Sequence, residues 1–115
     1  MDNDTIRLFF TAIGSTSRYR ILEKLMNGSL NVNSIAEETG ISQSNASHHM
    51  ECLINCGFVE MKNVGKEHVY SINKEVLPIL EGIEKHMLRY RKHLLACGII
   101  GEAKVKPVET KARRL

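Results

Sequence analysis

Cys52 and Cys56 stand four residues apart in the stretch Cys52-Leu53-Ile54-Asn55-Cys56-Gly57. On a helix, two side chains at that spacing lie about 40° apart around the axis and about one turn along it, so both thiols can reach one ion. Thiolates are soft ligands and select soft or borderline metals. A third thiolate would make a three-sulfur site, poor for hard cations and suited to Cd2+ or Pb2+, with Zn2+ plus a histidine or a water as a variant. The one other cysteine is Cys97. Three cysteines make no disulfide framework and fit a reducing interior with metal-binding or reactive thiols. Two other readings of the pair stay open. Free cysteines are often simply small buried hydrophobes. A redox switch is the second, although a Cys52–Cys56 disulfide would strain a regular helix; one to Cys97 is possible.

A different chemistry precedes the thiols on the same stretch. Ser42, Gln43, Ser44, Asn45, Ser47 and His48 are short or medium neutral groups that both donate and accept hydrogen bonds, which suits base edges and phosphates. Ser42 is an N-cap type, and Gly57 stands where a left-handed C-cap would end a helix. Between them Ala46, Met50, Leu53 and Ile54 gather on one apolar stripe at about 100° per residue. One helix therefore carries a reading end and a sensing end. His49, at the edge of the stripe, reads as a core histidine.

The elements around this helix follow from the chain in order. Asp4-Thr5 is expected to cap a first helix with Ile6, Leu8, Phe9, Phe10 and Ile13, apolar nearly all round and so expected to be covered on more than one side. Ser15 or Thr16 caps a second helix running to about Asn27, with Tyr19, Ile21, Leu22, Leu25 and Met26 inward. Asn33-Ser34 starts a short third helix closed by Gly40. Two short helices meeting at a glycine turn, the second rich in Ser, Gln, Asn and His, form the helix-turn-helix pattern. After Gly57 the period changes from helical to alternating. Phe58–Lys62 and Glu67–Ile72 read as strands around the turn Asn63-Val64-Gly65-Lys66. This hairpin is a wing, and Lys62 and Lys66 near its tip are placed to straddle phosphates. A long helix from about Lys74 to Leu95 follows, with Pro78 in its first turns, where proline is tolerated. It has little core of its own to cover, so pairing with the first helix across a dimer axis is its natural use. His86 and His93 share a face of it.

Composition sets bounds. The 115 residues suit one domain with a modest core, and 43% hydrophobic with 25% charged residues is ordinary for a globular protein. No run approaches the ~20 apolar residues of a membrane span, and the start lacks the basic residues of a signal peptide, so a cytoplasmic protein is expected. The net charge of +3 is small. No Lys or Arg falls between Lys24 and Lys62, and much of the positive excess lies in Lys85, Arg89, Arg91, Lys92 and the tail. DNA binding would then lean on neutral polar readers, wing lysines and helix N-termini. No glycine-rich phosphate loop or Ser/His/Asp arrangement stands out, which argues against an enzyme. Residues 1–97 read as the folded domain and 98–115 as a charged, disordered tail.

In order and size these elements resemble the ArsR/SmtB family of winged-helix repressors over roughly residues 5–97. The resemblance is carried by Ser17-Arg18-Tyr19-Arg20-Ile21-Leu22, by Ser42-Gln43-Ser44-Asn45-Ala46-Ser47-His48-His49 and by the wing Gly65-Lys66-Glu67-His68-Val69-Tyr70. It implies a mainly α winged helix-turn-helix with a small β-hairpin. It further implies a homodimer, joined through its first and fifth helices, that covers double-stranded operator DNA until an inducer binds. The thiol pair that some members carry before the helix-turn-helix would fall on Asn31 and Asn33, so that site is absent. The terminal-helix zinc site would fall on Glu75, Leu77, Leu88 and Arg91, where only Glu75 could ligate. Cys52 and Cys56 instead look like the cadmium/lead-sensing branch, whose third cysteine corresponds to Cys97. The resemblance implies that this third thiol comes from the other subunit. Release by thiol oxidation, or by another inducer such as zinc or an arsenic species, is the alternative.

Overall fold

The structure, a computed structural model, describes residues 1–98. The tail read as disordered lies outside the described residues from 99 on. Two compact units divide the chain, one from Met1 to Leu77 and one from Pro78 on.

The first unit opens with α1 (Asn3–Ile13) and α2 (Thr16–Leu25), each started by a side chain at its N-cap. Asp2, rather than the expected Asp4-Thr5, caps α1, its Oδ1 accepting from Thr5 N at 2.7 Å. That bond favours the ionised carboxyl and holds Asp2 below the usual carboxylate range. Ser15 caps α2, as expected, accepting from Arg18 N at 3.2 Å. Next come a two-residue strand that sequence alone did not suggest, β1 (Leu30–Asn31), and α3 (Val32–Thr39). Asn31 caps α3 from two residues before the expected start, and Gly40, at φ 76°, ends it in the left-handed region. The reading helix α4 (Gln43–Asn55) is capped by Ser42, as expected.

At its other end α4 closes in a Schellman motif. Gly57 takes φ 81°, its N–H donates to Ile54 O at 3.0 Å, and Phe58 N–H donates to Leu53 O at 2.9 Å. Leu53 and Phe58, both buried, supply the apolar contact that accompanies this motif. Phe58 is thus spent on the helix terminus, and the hairpin begins one residue later than expected, as β2 (Val59–Val64) and β3 (Glu67–Ile72) around the two-residue loop Gly65-Lys66. The antiparallel sheet has the order β1-β3-β2, with Leu30 opposite Tyr70, Met61 opposite Tyr70 and Asn63 opposite His68.

The core lies under the helix-turn-helix. Ile21, Leu22 and Leu25 from α2, Ile35 from α3, and Ala46, Met50 and Leu53 from α4 are each at most 2% exposed, together with Phe58 and Val59. Burying a side chain of the Leu, Ile or Met class stabilises by roughly 1.5–3 kcal/mol, and six such groups, from Ile21 to Leu53, meet here and fix α4 against α2 and α3. The first helix departs from expectation. Phe9 stacks on Phe58 at 5.2 Å between ring centroids, yet Ala12 is the one buried residue of α1, and Leu8 and Phe10 are 64% and 58% exposed. A single copy of the chain does not cover this helix on several sides.

The second unit holds α5, which begins at Leu77 in the first unit and runs to Arg89, and α6 (Arg91–Leu95). The expected unbroken helix from Lys74 starts later, because Asn73 closes a turn first: its Oδ1 accepts from Glu75 N and its carbonyl from Val76 N and Leu77 N. It is also interrupted at Tyr90, which leaves helical geometry at φ −105°, ψ 15°. Neither Gly nor Pro stands near Tyr90, and nothing in the local sequence explains the break.

Candidate nucleic-acid interface and thiol pair

Packing sorts the side chains of α4. Ala46, Met50 and Leu53 are buried; Ser44 and His48 lie about half a turn away from them, Asn45 and Ser47 flank the stripe, Gln43 stands at the free helix end, and all five are exposed together with Ser42. Ser42 Oγ accepts from Asn45 N at 3.2 Å, which satisfies one orphan donor of the first turn and leaves the neighbouring polar groups outward. The expected reading set thus shares one exposed end of one helix.

The wing stands beside it. Lys62 and Lys66 are exposed, Lys66 in the hairpin loop next to Gly65, whose φ of 64° only glycine adopts without cost. Two hydrogen bonds tie this region together, and neither was foreseen from sequence. Asn31 Nδ2 donates to Glu67 Oε1 at 3.2 Å while its Oδ1 accepts from Ser34 N at 2.8 Å, so one side chain joins the start of α3 to the wing. His68 Nδ1 lies 2.7 Å from Asn63 Oδ1 across the hairpin. A groove of about 180 Å³ runs between wing and helices, lined by Asn31, Asn33, Gln43, Lys66, Glu67 and His68. A separation of 36 residues leaves no local signal in the sequence for the Asn31–Glu67 bond.

At the far end of α4, Cys52 is half-buried and Cys56 is exposed as a residue while lining a cleft of about 390 Å³ with Thr5, Ile6, Phe9 and Phe58. These apolar surroundings, then the neighbouring Cys52 thiol and its hydrogen bond, push the Cys56 thiol above its ordinary range, against a smaller opposing pull from Arg18. The two thiols are therefore neighbours, as their spacing predicts, and they fit a two-sulfur chelate from which a metal must displace protons. Cys97 lies in the second unit, half-buried in the turn after α6. Among the described residues no three His, Cys, Asp or Glu side chains are gathered closely enough to hold an ion.

Arg18 was read only as part of a motif, and its geometry adds to it. In the first turn of α2 a cation opposes the helix dipole. It turns back instead, donating from Nε to Ala12 O at 2.8 Å and from Nη2 to Thr11 O at 3.2 Å, where the carbonyl end of α1 favours positive charge. Half-buried His49 has no hydrogen-bond partner for Nδ1 among the described residues. Burial first, then the charges of Arg18 and His48, lower its pKa and favour the neutral ring; it sits at the margin of the core rather than, as the sequence suggested, satisfied within it.

Comparison with known proteins agrees with this geometry. Residues 15–61 match the sequence profile of the bacterial regulatory protein, arsR family. The probable mercury resistance operon repressor of Streptomyces lividans is 35% identical over 69 residues, 60% of this chain and 55% of that protein. The transcriptional repressor SdpR of Bacillus subtilis is 34% identical over 68 residues, 59% of this chain and 76% of that protein. Among solved structures, the homodimeric winged helix-turn-helix DNA-binding domain Mb0332 of Mycobacterium bovis, described as a possible ArsR-family regulator, superposes with a TM-score of 0.69. Its identity is 25%, over 83% of this chain and 86% of that one. The chain spans about half the length of the first curated relatives it matches. These relatives are named as regulators and repressors, not as enzymes. With the helix-turn-helix, the wing and these matches in agreement, the chain belongs to the arsR family of bacterial regulatory proteins.

Proposed function

We propose that the chain is a homodimeric, cytoplasmic transcriptional repressor that binds double-stranded operator DNA and releases it when a thiophilic metal, Cd2+ or Pb2+ with Zn2+ as a variant, is held by Cys52, Cys56 and Cys97. One observation carries the reading: α4 presents an exposed polar end at Gln43–His48 and a pair of neighbouring thiols at its other end. Gln43, Ser44, Asn45, Ser47 and His48 would meet base edges and phosphates in the major groove, with Ser42 holding the first turn and Lys62 and Lys66 contacting the flanking backbone. A bound soft cation supplies a cross-link between sulfurs. Cys52 and Cys56 would give two of them from one helix, and Cys97 the third, from the same subunit or from a second one. In a dimer both reading helices must enter successive major grooves about 34 Å apart, so a small change in their relative setting spoils the fit. A coupling of a few kcal/mol is enough to empty an operator. The naming of a relative as a mercury resistance repressor supports a soft-metal inducer.

Gel shifts with and without Cd2+ test the proposal. Wild-type protein should release DNA as sulfur-to-metal charge-transfer absorption grows. Cys56→Ser should bind DNA equally well and keep it when metal is added. Metal-induced release by Cys56→Ser equal to wild type would remove that ligand from the scheme.

A further inference from the structure

We infer that His68 is a DNA phosphate contact of the wing, held in place by Asn63. This rests on the DNA-binding reading above and adds to it a residue outside the reading helix and the lysines.

Asn63 and His68 are directly opposed in the β2–β3 register, and both are exposed. Directly opposed side chains leave the same face of a ribbon, and here they meet, with 2.7 Å between Nδ1 and Oδ1. A carboxamide oxygen only accepts, so Nδ1 carries the hydrogen and Nε2 is the one ring nitrogen left for an outside partner. The bond adds a modest cross-strand stabilisation to the hairpin, and it also fixes the ring, which pre-organises it as a contact residue. The groove supplies the second argument, because His68 lines it together with Gln43 from the reading helix and Lys66 from the wing loop. A duplex that engages both Gln43 and Lys66 must pass over His68.

The charges in the groove suit an anion. α3 and α4 contribute the neutral Asn33 and Gln43 to the lining, Asn63 of β2 faces the His68 ring across the hairpin, and Lys62 leaves the other face of the ribbon by strand alternation. The charged groups of the lining are Lys66 and Glu67, and the Glu67 carboxylate already accepts from Asn31. A phosphate oxygen takes an N–H. With Nδ1 also carrying a hydrogen, the ring that binds it donates from both nitrogens as the imidazolium, which makes the bond to phosphate charge-assisted.

The full chain and a duplex selected by the wild-type protein from a random pool are sufficient for the test. Dissociation constants are measured at about pH 6 and about pH 8 for wild type, His68→Ala and Asn63→Ala. His68→Ala should weaken binding roughly tenfold at the lower pH and less at the higher one, and should reduce the salt slope by about one. Asn63→Ala should shift affinity in the same direction by less. One methylphosphonate, neutralising the contacted phosphate, should weaken wild type and leave His68→Ala unchanged. Equal affinities of wild type and His68→Ala at both pH values, or equal sensitivity of the two to every methylphosphonate position, would overturn the inference and leave the DNA-binding reading standing. A wild-type protein that selects no duplex at all would remove that reading itself.

Discussion

At Asn31 one carboxamide serves two neighbours: its oxygen caps α3 and its nitrogen reaches Glu67 on the wing. Asn31→Ala removes both bonds and should cost about 1 kcal/mol as a lost cap. In a domain of this size that lowers the melting temperature by roughly 4–8 °C, readable by calorimetry. Asn31→Asp keeps an oxygen for the cap but sets a carboxylate against Glu67, so it should retain most of the stability while weakening DNA binding through a displaced wing. At this scale the sequence revealed side-chain chemistry more readily than partnership. The exposed set Ser42–His48 and the neighbouring thiols followed from helical spacing, because spacing within one helix fixes direction. The Asn31–Glu67 and Arg18–Ala12 bonds did not, since each joins different elements and depends on how those elements pack.

Among the elements, α4 was legible from cap to cap because its signals are local: serine at the start, glycine after the end, and an apolar stripe at one period between them. The beginning of α1 and of α3 was misread by two residues or fewer, since several cap-type residues stand in a row at each. Only the competition between them, settled by which oxygen reaches the N–H three residues on, decides the start. The break at Tyr90 has no such signal. For α4 the glycine terminus carries a prediction. A Cβ built on Gly57 meets nothing within 4 Å, so Gly57→Ala introduces no clash and tests backbone conformation alone. At φ 81° it should destabilise by about 1–2 kcal/mol, measurable by urea unfolding with an unchanged slope. If Cys56 is a ligand, the same substitution should also weaken metal binding, because the thiol sits on the turn that Gly57 closes.

For the whole molecule, the open question is what covers α1. Ile6 and Phe10, four residues apart and therefore on one side of the helix, are 40% and 58% exposed. Apolar surface of this kind on a short chain marks an association site, and the proposed homodimer would bury it; the Mycobacterium bovis domain that superposes on this chain is itself homodimeric. Phe10→Asp should therefore leave the fold intact, as judged by circular dichroism, and shift the protein from dimer to monomer in sedimentation. Operator affinity should fall with it, because a monomer occupies one half-site. An unchanged dimer would place the interface elsewhere. The described helices include none long and apolar enough to cross a membrane.

Between Gln43 and Asn55 the chain has neither glycine nor proline, and its far end is locked by the bonds around Gly57. Such a helix has none of the residues at which kinks form, so a displacement is expected to move it as a unit. At 1.5 Å per residue, about 20 Å separates Gln43 from Cys56, so a tilt of only about 5° pivoting on the sulfur end sweeps the opposite tip through roughly 1.7 Å. Donor–acceptor distances to a base edge span only about half an ångström between good and poor. On the proposed reading the helix is therefore a mechanical amplifier, in which a displacement too slight to disturb the core at its pivot would already be too large for recognition at its tip.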